Sequence, residues 1–172
     1  PSKDINEFLE KHGEKMGLDF ARAAIHDFNV KVIIKGDENL PLEGRFIFAS
    51  NHPLGGFDGI LMMDVLSHYY TDYKFLSNDL LMNIINLHPI FIPINKHGKQ
   101  AIEAATKLDE AFSSNTHIVT FPAGLVSRRI KGQIMDLVWH KNFITKAVHY
   151  HRDIIPVHFT GRNSNFFYRL YK

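Results

Sequence analysis

The chain has 172 residues, 45% hydrophobic and 22% charged, with a formal charge of +2 and a pI near 8.8. That composition suits a single domain, 1–172, with a sizeable core, and it excludes a disordered or low-complexity chain. There is no cysteine, which removes disulfides, thiolate metal sites and cysteine nucleophiles together.

The lysines and arginines are spread along the chain rather than gathered into a dense basic stripe, so no nucleic-acid partner is expected. No apolar run approaches the roughly 18 residues of a membrane span, and no signal peptide is legible at the start. In chain order, residues 4–28 read as one amphipathic helix. Ile5, Phe8, Leu9, Met16, Phe20, Ala21, Ala24, Ile25 and Phe28 recur at helical steps, with Gly13 and Gly17 weakening the middle. This helix faces either the core or, given Lys3, Lys11, Lys15 and Arg22, a membrane surface. The alternation in residues 29–35 predicts a strand. After the loop "DENLPLEG", a short apolar strand "RFIFAS" runs into "NHPLGGFDG".

A helix is expected over "GILMMDVLSHYY", a strand over "YKFLS" and a short helix over "NDLLMNIINL", with Asn78 or Asp79 as its N-cap. The strand "PIFIPIN" precedes a helix with Ala101, Ala105, Leu108 and Phe112 on one face and Glu103, Lys107 and Glu110 elsewhere. The strand "THIVTF" ends in "PAG". "LVSRRIKGQIMDLVW" has no firm assignment, and neither does the aromatic last segment. Between these come a helix at "HKNFITKAVHYH" and a strand at "DIIPVHF". The alternation predicts a layered α/β fold, with a mixed, mostly parallel sheet flanked by helices.

Chemistry concentrates at residues 51–59. Pro53 biases His52 towards extended backbone, Gly55 and Gly56 permit a tight turn, and Asp58 arrives where a helix begins. His52 therefore stands at the carboxyl end of a strand, the usual ligand side of an open α/β sheet. Two readings of this loop are open. In one, Asp58 orients the His52 imidazole so that its other nitrogen accepts a proton. In the other, Asp58 only caps the helix and His52 is a polar residue at a strand end. His140, His149 and His151 lack a convincing spacing with carboxylates, so no metal is expected. Asp136 and Trp139 receive no role.

"NHPLGGFDG" beside "FPAGLVSRR" resembles the glycerolipid acyltransferase superfamily, and the resemblance covers roughly residues 28–168. Asn51, His52 and Asp58 match the first motif. Phe121, Pro122, Gly124 and Ser127 match the third, with Ala123 in place of its Glu. Ile154, Ile155, Pro156 and Val157 match the fourth, and "IFIPINK" takes the place of the second, with Asn95 and Lys96 where an Arg is usual. One residue more than the norm separates His52 from Asp58. These departures, and "PVHFTGRNSNFFY", resemble a bacterial hemolysin-like branch that O-acylates lyso-ornithine and related amino-acid lipids. They turn the expected acceptor away from glycerol 3-phosphate. Members of the branch usually continue past "GRNS", so a C-terminal continuation is expected.

The resemblance implies acyl transfer from an acyl carrier protein or coenzyme A thioester to a lysolipid hydroxyl, with no bound cofactor. His52 would be the base and Asp58 its orienting partner. Substrate contacts are expected from Asn51, Gly55, Gly56, Lys96, Phe121, Pro122, Gly124, Ser127, Arg128 and Arg129. The two arginines suit either an anionic headgroup or a solvated basic loop, and amide N–H groups near Gly124 or in the Gly55–Gly56 turn would meet the oxyanion. Phe57, Leu61, Met62, Phe75, Leu76 and Leu80 suit either an acyl tunnel or the core, and the core is the better fit. The expected location is cytoplasmic, peripheral on the inner face of the cell membrane. Two competing functions are a non-catalytic lipid-binding module and a metal-dependent hydrolase using His52 and Asp58.

Overall fold

The computed structural model describes residues 2–77, 81–94 and 99–170. The chain opens with two helices, α1 (Ser2–His12) and α2 (Gly17–Asp27). Strand β1 (Phe46–Ser50) leads to α3 (Gly56–Ser67), β2 (Tyr73–Ser77) and β3 (Phe91–Pro93). Helix α4 (Lys99–Ser113) and strand β4 (His117–Thr120) follow. The strands β5 (Arg128–Ile130) and β6 (Gln133–Met135) precede α5 (Asn142–Tyr150), β7 (Asp153–Val157) and α6 (Asn165–Leu170).

Five strands form one sheet in the order β3–β2–β4–β1–β7, and every pairing in it is parallel. Antiparallel pairing occurs separately, in the β5–β6 hairpin. This is the expected layered fold with a mostly parallel sheet. A parallel sheet hides both faces, and β1 is buried along its whole length. Its side chains alternate between two layers. Phe46 and Phe48 join Phe75 and Val119 against Phe20 of α2 and Met62, Met63 and Leu66 of α3. Ile47 joins Ile118 against Phe112 of α4 and Ala147 of α5. Each such buried side chain contributes about 1.5–3 kcal/mol.

At the amino-terminal end of the sheet Arg152 is 5% exposed. Its guanidinium donates to the carbonyls of Ala111, Phe112, Ser114 and Thr116 at 2.6–2.9 Å, closing the C-terminal end of α4.

Several expectations change. The helix over residues 4–28 is two helices, and the chain turns between them so that α1 packs on α2. The turn lies between the two glycines, with Gly17 at φ +55. Folding back buries Phe8 on Phe20 and Phe28, with ring centroids 5.2 and 5.5 Å away. It also brings Lys11 and His12 onto Asp27 at 2.9 Å, and hydrogen bonds from His26 first, then Lys11 and His12, hold that carboxyl well below the usual range. Residues 30–35 form no strand. The chain leaves α2 through Asn29 at φ +50, and Ile33 stays 71% exposed with no neighbouring strand among the described residues to pair its alternation. The helix expected over "NDLLMNIINL" is two 3₁₀ turns, Leu81–Asn83 and Ile85–Leu87, with Asn86 tied to the carbonyls of Gly13 and Lys15. Asn78 and Asp79 lie outside the described residues. On α4 the inward stripe runs through Ala101, Ala104, Leu108, Ala111 and Phe112, and Ala105 faces outward.

Candidate active site

The sheet register builds the site. Ala49 pairs with Thr120 of β4, and Ser50 pairs with Val157 of β7. Because the strands are parallel, the three segments that follow them leave the sheet at one level: residues 51–58, 121–127 and 158–163. Motifs far apart in sequence therefore meet at one carboxyl edge. Asn51 ties the first segment to the third, its amide donating to Phe159 O at 2.9 Å and accepting from Phe159 N–H at 2.6 Å. Asn163 donates to Pro53 O at 2.8 Å. The His52 ring stacks on Phe121, 4.3 Å between centroids, and Ser127 N–H donates to His52 O at 2.9 Å.

His52 and Asp58 come together. Nδ1 of His52 lies 3.0 Å from Oδ2 of Asp58, with the Asp side chain fully buried. The contact is at ion-pair distance but off the hydrogen-bonding direction, a looseness common before substrate binds. The same oxygen accepts N–H bonds from Leu54 at 2.8 Å and Gly55 at 3.0 Å. The two readings of the loop thus share one geometry, with one correction. The N-cap of α3 is Gly55, and Asp58, three residues on, reaches back to it. Gly55 has φ +75 and ψ −138, and a Cβ there would stand 2.9 Å from Val126 of the third-motif segment. Only glycine lets the two loops approach so closely. An ionised carboxylate only accepts, so the tautomer that a closer approach of Asp58 favours carries its proton on Nδ1 and leaves Nε2 as the acceptor. Nε2 makes no hydrogen bond among the described residues.

The other expected residues divide. Asn51, Gly55, Phe121 and Ser127 touch His52 or its loop directly. Pro122 is buried beside them, its carbonyl accepting from His140 N–H at 3.0 Å. Gly124 is exposed at φ +68, and its N–H is already bonded to Phe121 O at 2.9 Å. With Gly55 N–H on Asp58, the turn amide left for an oxyanion is that of Gly56, the exposed first residue of α3, where a helix has no acceptor of its own to offer. Residue 123 is a buried alanine, so it puts no carboxylate into the third-motif loop. Arg128 and Arg129 lie against α6, 5.6 Å from the Phe167 ring centroid and 5.7 Å from that of Tyr168. Arg129 also donates to Asn165, as does Arg162. Lys96 and Leu80 lie outside the described residues. Met62 and Phe75 belong to the core, and Leu61 is buried. Two hollows of about 540 and 570 Å³ open elsewhere, the first around Arg45, Tyr70 and His117, and neither is lined by His52 or Asp58. No cluster of three metal-ligating side chains occurs among the described residues.

Two residues without an expected role sit behind His52. Asp136 accepts His52 N–H at 3.2 Å and the Ser127 hydroxyl at 2.5 Å through Oδ1, and Trp139 Nε1–H at 2.8 Å through Oδ2. Their only sequence signal is the three-residue step in "DLVW", which carries no information until the hairpin register is known.

An acyltransferase family model matches residues 1–172. The chain is similar to the lyso-glycine lipid O-acyltransferase of Phocaeicola vulgatus, 49% identical over 168 residues, covering 97% of this chain and 60% of that protein. It is also similar to the lyso-glycine lipid O-acyltransferase of Bacteroides thetaiotaomicron, 50% identical over 168 residues, covering 97% of this chain and 62% of that one. The chain thus spans about three fifths of the length of these relatives. With the His–Asp loop and the third-motif loop meeting at the carboxyl edge of a parallel sheet, and the family model matching end to end, the chain belongs to the acyltransferase family.

Proposed function

We propose that the protein is an O-acyltransferase that moves a fatty acyl group from an acyl carrier protein or coenzyme A thioester to the hydroxyl of a lysolipid. The carrying observation is the buried Asp58 carboxylate 3.0 Å from Nδ1 of His52, with Nε2 left without a partner among the described residues. The acceptor class follows the two relatives, whose names specify lyso-glycine lipid, an amino-acid lipid. Buried Ala123 agrees, since the site lacks the carboxylate associated with glycerol phosphate acceptors.

The acceptor O–H gives its proton to His52 Nε2 as the oxygen attacks the thioester carbonyl. The new C–O bond leaves a tetrahedral oxyanion, facing the Gly56 amide. Its collapse breaks the C–S bond and expels the thiolate, which takes the proton from the imidazolium and leaves as thiol. Asp58 holds the imidazolium in place between the two transfers. Such a base contributes about 10²–10⁴ in rate. Arg128 and Arg129 are the expected contacts for the headgroup carboxylate, supported by their position directly after Ser127.

The reaction belongs at a membrane surface, because a lysolipid resides there, and on its cytoplasmic face, where the thioester donors are. No described helix is long and apolar enough to cross a membrane. The α1–α2 pair supports peripheral binding: Ile5, Leu9, Met16 and Phe28 are each 41–50% exposed, and Lys3 and Lys15 are exposed among them. The deciding experiment offers a panel of lysolipids with both donors to wild type and His52→Ala. Ester formation on a lyso-glycine lipid by wild type alone supports the reading. Equal turnover by the variant removes His52 as base, and binding without turnover by wild type favours a lipid-binding module.

A further inference from the structure

We propose that Asp136 is a positioning residue for acyl transfer, holding His52 by its main chain, with Trp139 setting the orientation of the carboxylate. The proposal rests on His52 being the base.

The need for such a residue follows from the register. The β1 ladder ends at Ser50, paired with Val157. His52 lies two residues beyond it, where the sheet no longer holds the backbone. Asn51 is tied down by Phe159, but the main-chain groups of His52 must find partners elsewhere. Both go to the β5–β6 hairpin. The C=O accepts from Ser127 N–H at 2.9 Å, and the N–H donates to Asp136 Oδ1 at 3.2 Å.

The hairpin register explains why these two residues act together. Arg128 pairs with Met135, so Ser127 and Asp136 are the next facing pair, one step past the end of the ladder. There the Ser127 hydroxyl donates to the same Oδ1 at 2.5 Å. His52, Ser127 and Asp136 therefore close a ring of three hydrogen bonds. Within it the backbone carrying the imidazole is fixed from both sides. The ring itself then needs only Phe121 beneath it and Asp58 at Nδ1.

Asp136 is not a second base. Its Oδ1 is occupied by two donors and its Oδ2 by the Trp139 indole N–H at 2.8 Å. Its contact with His52 is to the main chain, so it acts through that residue. All three donors require an acceptor, which is why the position calls for a carboxylate. An amide has a single acceptor oxygen. If it serves His52 and Ser127, its NH₂ confronts the indole N–H.

That confrontation is the basis of the test. Asp136→Asn is expected to lower kcat by about 10–10²-fold, with KM for lysolipid and for thioester within about twofold, since a displacement near 1 Å in a reacting group has effects of this order. Trp139→Phe placed in the Asp136→Asn protein removes the opposing donor, and kcat is expected to recover by about fivefold or more. A carboxylate that merely stabilised the fold would give the opposite sign: the second truncation would lower Tm and kcat further. The proposal is overturned by wild-type kcat in Asp136→Asn, by a loss carried in KM, or by a double variant slower than the single one. If Asp136→Asn does not fold, Ser127→Ala decides. It breaks one side of the ring and is expected to lower kcat about three- to tenfold at constant KM, and unchanged kcat overturns the proposal. His52→Ala run alongside separates the two failures. If it keeps turnover, the base assignment falls. If it is inactive while Asp136→Asn matches wild type, only the positioning role falls.

Discussion

Arg152 at the amino-terminal end of the sheet and His52 at the carboxyl-terminal end are both buried ionisable side chains beside β1, and their surroundings treat them differently. Arg152 spends its guanidinium on four carbonyls and has no anionic partner among the described residues. His52 is pinned by its main chain, stacked on Phe121 and approached by Asp58, yet its Nε2 has no partner among the described residues. Asp58 likewise keeps Oδ1 without a hydrogen-bond partner among the described residues. A buried group whose donors are used up closes a fold. A buried group held firmly but left with one open atom is arranged to meet something else.

The comparison breaks first at His52. His52→Ala is expected to lower kcat by about 10²–10⁴-fold with little change in Tm, read by thioester-dependent acyl transfer and thermal unfolding. The opposite split is expected at Arg152. Arg152→Met leaves the carbonyls at the end of α4 without their donors and should cost about 3–5 kcal/mol in urea unfolding, while activity per folded molecule stays close to wild type. A variant of Arg152 that remained stable but lost turnover would collapse the distinction between the two ends.

Asp58→Asn sharpens it, because Asp58 belongs to both categories. In the proposed mechanism it orients His52, and it also accepts the Leu54 and Gly55 N–H groups ahead of α3. An amide oxygen retains the backbone bonds, so the expected stability loss is only about 1 kcal/mol, while kcat falls by about 10²-fold.

The smallest effect is expected from pH at the amino-terminal end. Burial, and then the charge of Arg152, push the His117 imidazole below its ordinary 6.5, with Asp72 opposing. The unfolded chain therefore takes up a proton at this position before the folded one does. The stability contributed by neutral His117 is complete above 6.5 and is lost as pH falls through the window beneath it. His117→Gln should flatten that part of the stability profile relative to wild type, and identical slopes would show that another group titrates there.

Local patterns were most readable where two layers of the fold agree. "YKFLS" became β2 residue for residue, its alternation matching one buried and one half-buried face, and "RFIFAS" became β1 after its first residue, an apolar run buried on both faces. The reading failed where a pattern needs a partner the sequence does not name. Residues 29–35 alternate like a strand but have no neighbouring strand among the described residues, and Ile33 is left in solvent. The helix over residues 4–28 had the right apolar period, yet Phe8 is buried only because the chain folds back on itself between Gly13 and Gly17.

His52, Asp58 and the third-motif loop were legible because each sits beside its own strand–turn signal: a proline, paired glycines, or "FPAG" after an apolar run. Asp136 and Trp139 were not, because "DLVW" has no meaning until β5 and β6 are paired and Asp136 faces Ser127.

What the sequence determined by itself was the layered α/β order, the strand-to-loop placement of His52, and the tight turn at Gly55 and Gly56. These depend on period, on proline and glycine backbone limits, and on neighbours a few residues away. The tertiary structure decided which oxygen faces which nitrogen. It set Asp58 at Nδ1 of His52, made Gly55 rather than Asp58 the cap, and put Asp136 behind the histidine. A hydrogen bond between residues 84 positions apart depends on the register of a sheet and a hairpin, and that register is settled only when the layers pack.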